Sequence, residues 1–382
     1  MAAKAFADEE LGGASSREAR RLAYVRAKAK KQHVTYDPRD WGIVFRWHRG
    51  VRAAHHVGPP LAWVTAVSVV AAWLASSPYA STWSKALSKI SGAEALLRMT
   101  IGFLLVFRLA RSATRFWEAR QQAGAMIGTC RVLASTAAAH MVVGGDLDRV
   151  EKRALWPRKH ASDGDEEAWT TERCSPASAL CRWLVAFPIA TKNQLRKHAG
   201  DRGDLDGLLA PGEIEALFGA GNQPLYAVDT MRCIVSAWAS NAAKAGSAEV
   251  VAQAFSQLNR QLDTLSSTYG GMERINNTPL PLVYAAHLRT YLLLYITLIP
   301  LVYAPSWKWA TPPFTILVSW ALLGIEASAV ECERPVHECA NHIPLDAFCA
   351  VIADNVAQSL RHSATTGRRI RARGAQVGAP SR

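Results

Sequence analysis

Met99, Phe103, Phe107, Arg111 and Arg115 recur at every fourth position of the stretch MTIGFLLVFRLARSATRFWEAR, and Arg108 sits beside them. On an α-helix, residues four apart share one slowly winding face. Three bulky apolar side chains thus lead into guanidinium groups. If several copies of this helix ring an axis, the apolar positions form a constriction that can gate by dewetting. Arg108, Arg111 and Arg115 then form a basic vestibule that attracts anions. The electropositive ring edges of Phe103 and Phe107 would help an anion that has shed water. In an isolated sequence the same stripe also fits an apolar core followed by solvated arginines. Ser and His residues occur singly, with no convincing nucleophile–base or metal grouping, so an enzyme is not expected.

The elements that must position this stripe are apolar. GPPLAWVTAVSVVAAWLASSPY, Gly58 to Tyr79, carries no charge over 22 residues. As a helix it would extend roughly 33 Å, enough to cross a bilayer core, with Pro59 and Pro60 in its first turn. Arg46, Arg49 and Arg52 precede it and the stretch from Ser81 to Ser84 is uncharged, which places the N-terminus in the cytoplasm or its equivalent. A second segment runs from Ala93 to Ala113, interrupted by Arg98, Arg108 and Arg111. A third, Pro281 to Pro305, holds His287 and Arg289, and a fourth, Pro312 to Cys332, holds Glu326. Ionisable groups inside spans are costly, so they should face protein or water. His287 and Arg289 are expected to pair with Glu326 or Glu331.

Between the two pairs of segments, ALCRWLVAFPIATKNQLRKH, QPLYAVDTMRCIVSAWASNAAKAG and AEVVAQAFSQLNRQLDTLSSTYGG carry apolar residues at helical spacing. No strand alternation of useful length is found. The expected fold is all-α, with four transmembrane helices per subunit and a helical cytosolic domain. The expected organisation is a basic arm over 1–40, a pre-membrane segment over 41–56 and a first pair of spans over 57–113. A helical domain over 114–280 follows, with a charged loop near 144–177. A second pair of spans over 281–332, a helical segment over 333–360 and a disordered basic tail over 361–382 complete it.

Bulk composition narrows the setting. The 382 residues carry a net charge of +13, which suits an anionic partner: nucleic acid, lipid headgroups or small anions. Thirteen Trp favour interfaces wet at one end and apolar at the other. Seven Cys without a CxxC pair argue against a disulfide framework.

ATRFWEARQQAGAMI, Ala113 to Ile127, resembles the bestrophin family, in which an RWWEAR-like motif follows the second membrane helix. WHRG, Trp47 to Gly50, is similar to the Arg-Gly-Ser that precedes the first span there, with Val51 in place of Ser. GGMERINNTPLPLVYAAHLRTYLLLY, Gly270 to Tyr295, and ERPVHECANHIPLD, Glu333 to Asp346, match two further family segments. The resemblance implies a homopentameric anion channel that conducts chloride or bicarbonate, embedded in membrane lipid, with no nucleic-acid partner. Its neck would be Met99, Phe103 and Phe107, and a second constriction would fall near Glu249 and Val250. A channel conducting mainly bicarbonate and a non-conducting membrane scaffold are the alternatives. The membrane would be a plasma membrane or a chloroplast thylakoid or envelope membrane.

Many animal members hold calcium in a carboxylate clasp after the fourth span. Calcium takes six to eight oxygens, mostly from Asp and Glu. The matching stretch here offers Glu338 and Asn341 among Cys, Ala and His, which argues against a calcium site. Cys332, His337, Cys339 and His342 are zinc-ligand types, but their spacing matches no common zinc pattern.

Overall fold

A computed structural model of the chain describes residues 53–77, 91–141, 175–197, 202–245, 248–337, 341–367 and 369–370. The basic arm, the WHRG motif and nearly all of the charged loop lie outside these. Helices account for almost all of the described residues, and no strand occurs among them; Asp206 and Leu209 form an isolated bridge.

We number the helices α1 (Ala53–Ala75), α2 (Ser91–His140), α3 (Pro176–Arg196), α4 (Pro211–Gly219), α5 (Gln223–Ala245), α6 (Ala248–Asn277), α7 (Leu282–Trp307), α8 (Thr311–Glu333) and α9 (Leu345–His362). The chain divides into two compact units, at Glu118/Ala119 and Asn276/Asn277, and again after Pro335. One unit holds α1, the first part of α2, α7 and α8. The other holds the rest of α2, α3 to α6 and α9.

Among the described residues, two stretches have the length and apolar content of membrane spans: Val57–Ala75, and Leu282–Glu333, which comprises α7, a 3-10 turn over Lys308–Ala310 and α8. The segment at 93–113 is the first part of a 50-residue helix. The first span differs from the sequence expectation. Its helix begins at Ala53, so Pro59 and Pro60 lie inside it rather than in its first turn. A proline there has no N–H to give to the preceding turn, so two helical hydrogen bonds are forgone.

In the spanning unit, the core is built from one stripe of each helix. Val57 and Val64 of α1, Ile101 and Leu105 of α2, Leu288, Leu292, Tyr295, Ile296 and Ile299 of α7, and Leu323 and Ala327 of α8 form one buried cluster. Their steps of three, four and seven are the period of a helix with one inward face.

In the second unit, α3 is the central element, buried almost throughout from Ala179 to Asn193 and packed on α5 and α9. Ser175 caps its start by accepting from Ser178 N–H at 3.3 Å, and Pro176 opens its first turn. Close approach of α6 to α2 explains one glycine: a Cβ on Gly271 would lie 2.8 Å from the Gln122 side chain. The C-terminal segment departs from the expected disorder after Leu360. Residues Ser363–Gly367 form a π-helical turn, and buried Ser363 donates to the Ala138 carbonyl.

Candidate permeation site

Met99, Phe103 and Phe107 lie on an exposed face of α2, with 68, 56 and 61% of their surface accessible. Arg111 continues that face and is also exposed. The opposite face is buried and runs Ile101, Leu105, Arg108, Ser112. The two faces follow from the helical period: α2 places its 3- and 4-residue apolar repeat inward and leaves a second apolar repeat outward.

Arg108 therefore does not join the basic vestibule expected from the sequence. Its guanidinium is 1% exposed. Nη2 donates to Glu333 Oε2 at 2.7 Å and Nε donates to Glu326 Oε2 at 3.3 Å. Arg289 Nε donates to the other Glu326 oxygen at 2.9 Å, the pairing expected from the third and fourth spans. Two carboxylates thus compensate the buried Arg108, while Arg289, with 54% of its side chain exposed, caps the set at its open edge. Arg108 occupies an inward position because it sits three residues after Leu105, in register with the core stripe and 100° from Phe107.

Arg115 also departs from the expected stripe. A four-residue step advances about 40° round a helix, so four steps from Met99 carry the side chain through about 160°. Arg115 accordingly turns towards the rest of the chain. Its Nε donates to the Glu333 carbonyl at 3.0 Å and its Nη1 to the Thr278 carbonyl at 2.6 Å. Of the three arginines, Arg111 alone stays on the exposed face with the apolar ladder. The last arginine of RFWEAR, Arg120, lies over the Phe348 ring, 4.9 Å from its centroid.

A second network stands at the other end of the ladder. Glu94, 2% exposed, accepts from Arg98 Nη2 at 2.7 Å and from the hydroxyls of Tyr295 and Tyr303, each at 3.2 Å. Arg98 itself is 57% exposed. The carboxylate is thus inside and the guanidinium outside. Sequence reading missed Glu94 and Glu333 as partners. The i,i+4 spacing of Glu94 and Arg98 was the available signal for the first; nothing local signalled the second.

The chain has known relatives. The Bacterial/Fungal Bestrophin protein family matches residues 32–358. The chain belongs to the bestrophin family. It is 27% identical over 327 residues to a voltage-dependent anion channel-forming protein of Synechocystis sp., covering 85% of this chain and 93% of that one. It is 30% identical over 268 residues to one of Nostoc sp., covering 68% of this chain and 74% of the relative. A bacterial bestrophin homolog from Klebsiella pneumoniae shares the fold, with a TM-score of 0.59, 23% identity, and coverage of 79% of this chain and 97% of that one.

Further residues singled out from the bestrophin motifs fall as follows. Glu249 and Val250 are exposed in the first turn of α6. Glu338 and Cys339 lie outside the described residues, and Asn341 is exposed. The His337 and His342 rings are 6.1 Å apart, and no group of three metal-ligand residues occurs among the described residues. Asp346, the acid of IPLD, is the hub of a buried cluster. It accepts from Lys192 Nζ at 3.0 Å and from Arg196 Nη1 at 2.7 Å, and Lys192 also pairs with Asp204. Burial alone would raise the Asp346 carboxyl, but the Lys192 and Arg196 charges outweigh it and hold it below its ordinary value. For Lys192, burial works against the charge, yet the neighbouring carboxylates keep it above the ordinary lysine range. Cys349, enclosed beside this cluster, is pushed by burial up to about 12.

Proposed function

We propose that this bestrophin-family chain forms a passive anion channel in which five copies surround a central pore, with Met99, Phe103 and Phe107 as its hydrophobic neck and Arg111 as its anion-attracting group. The observation that carries the reading is the exposed apolar ladder that continues into the exposed Arg111. Met99 and Arg111 are 12 residues apart, about 18 Å along a helix. That is short of the ~30 Å hydrocarbon thickness, so a lipid-facing ladder would drag a guanidinium into oil. A water-filled axis removes that cost and gives Arg111 a task. The relatives named as anion channel-forming proteins support the same reading. Chloride is the proposed main ion, and a plasma membrane the proposed site.

Purified protein reconstituted in a planar bilayer under a chloride gradient tests this. The expected result is a current that reverses near the chloride equilibrium potential. A current carried mainly by bicarbonate would replace the proposed ion, and no current under any condition would leave a membrane scaffold.

A further inference from the structure

We infer that Glu333 is the positioning residue of the neck: through Arg108 and Arg115 it fixes the rotation of α2 that turns Phe107 outward. This rests on the channel reading above. Glu333 acts at three points. Its Oε2 accepts from Arg108 at 2.7 Å, its Oε1 accepts from the Leu280 N–H at 3.2 Å, and its backbone carbonyl accepts from Arg115 at 3.0 Å. Arg115 in turn holds the Thr278 carbonyl. One residue at the end of α8 thus grips α2 twice and the NTPLP turn once.

The geometry of the grip explains its effect. Arg108 and Arg115 are seven residues apart, so they lie within about 20° of each other on one face. Two anchors on one face set the azimuth of a helix as well as its position. Phe107 precedes Arg108 and points about 100° away from it, so an inward Arg108 requires an outward Phe107. Glu326 does not substitute, because it lies further from Arg108, at 3.3 Å, and is shared with Arg289. Once the Glu333 carboxylate is lost, a buried guanidinium is left short of charge compensation, which favours its turning towards water. That turn carries Phe107 away from the axis.

The test uses the full-length reconstituted channel carrying Phe107→Cys and a small charged methanethiosulfonate reagent, read as the rate at which the reagent changes the current. With Glu333 intact, the current of Phe107→Cys is modified and that of the unaltered chain is not. Adding E333Q or R108Q slows modification about tenfold, and the double variant R108Q/E333Q slows it by the same factor rather than about a hundredfold, because both act through one contact. Size-exclusion elution stays that of the parent oligomer. If an amide variant does not assemble, R108K keeps the charge, loses the fork and slows modification by a smaller factor. A parental rate in E333Q or R108K, or effects that multiply in the double variant, overturns the inference. A current indifferent to the reagent in Phe107→Cys alone overturns the neck reading itself, which separates the two failures.

Discussion

Each unit of this chain pairs two cations with two carboxylates, and the two sets have different surroundings. Lys192, Arg196, Asp204 and Asp346 sit among buried elements: α3 is enclosed on all sides, and Asp346 is 2% exposed. Arg108, Arg289, Glu326 and Glu333 are centred on Arg108, one residue from the exposed apolar ladder. The first set joins α3 to α9, with Arg196 also donating to the Val336 carbonyl at 3.3 Å, and secures packing. The second reaches the turn before α7, where Glu333 accepts from the Leu280 N–H. Like chemistry therefore serves different ends: where every face is covered, charge pairing secures the fold, and where one face is open, it sets what that face presents.

The sharpest way to break the contrast is to remove one charge from each set. Asp346→Ala removes the carboxylate that Lys192 and Arg196 share and leaves Lys192 with Asp204. The expected loss is about 3–5 kcal/mol, enough to prevent accumulation of folded protein. Parental yield and melting temperature would show that the cluster is dispensable. In the open unit, Phe103→Ala and Phe107→Ala should leave assembly intact and raise basal current severalfold, since each removes a bulky side chain from the dewetting barrier. Unchanged current in both removes the ladder from the permeation path. Arg111→Glu should move the reversal potential away from that of chloride, and a potential that stays put removes Arg111 from the path.

Acid separates the units more gently. Asp346 is held below its ordinary value of 3.8, so its contribution to stability is present above that pH and is lost as pH falls through the lower folded value. Lys192 is raised above 10.5, so its contribution is full below that pH and is lost as pH rises through the higher folded value. Melting temperature from this cluster should be flat between these limits and fall at the acid end first. A midpoint for the acid loss above 3.8 would contradict the pairing.

Thiol labelling tests the enclosure with a smaller effect. Cys233 is exposed, whereas Cys130, Cys181 and Cys349 are buried. Burial lifts the Cys181 thiol to about 12. At pH 8 a maleimide should label Cys233 in minutes and these three only after denaturation. Labelling of Cys349 in the folded protein would show that the Asp346 cluster opens. The smallest effect is expected for Trp63→Phe, which loses a 3.3 Å bond to Thr297 on an exposed face and should cost at most about 1 kcal/mol.

Some of this was legible in the residues alone. The uncharged run from Gly58, the apolar stretches of α7 and α8, the RFWEAR and ERINNTPLP motifs and the helical periodicity of α5 and α6 pointed to a mostly helical chain of the bestrophin family, because these signals are local or nearly so. The apolar ladder was legible as well, since three bulky residues at four-residue steps share a face whatever lies around them. The tertiary structure decided which charges joined it. A four-residue step drifts round the helix, so Arg115 left the face that Met99 began, and a one-residue offset put Arg108 into the core register with Leu105. Their acceptors, Glu326, Glu333 and the Thr278 carbonyl, lie more than 160 residues away in the chain. No local pattern names such partners, because packing α2 against α8 and the NTPLP turn is what brings them within reach.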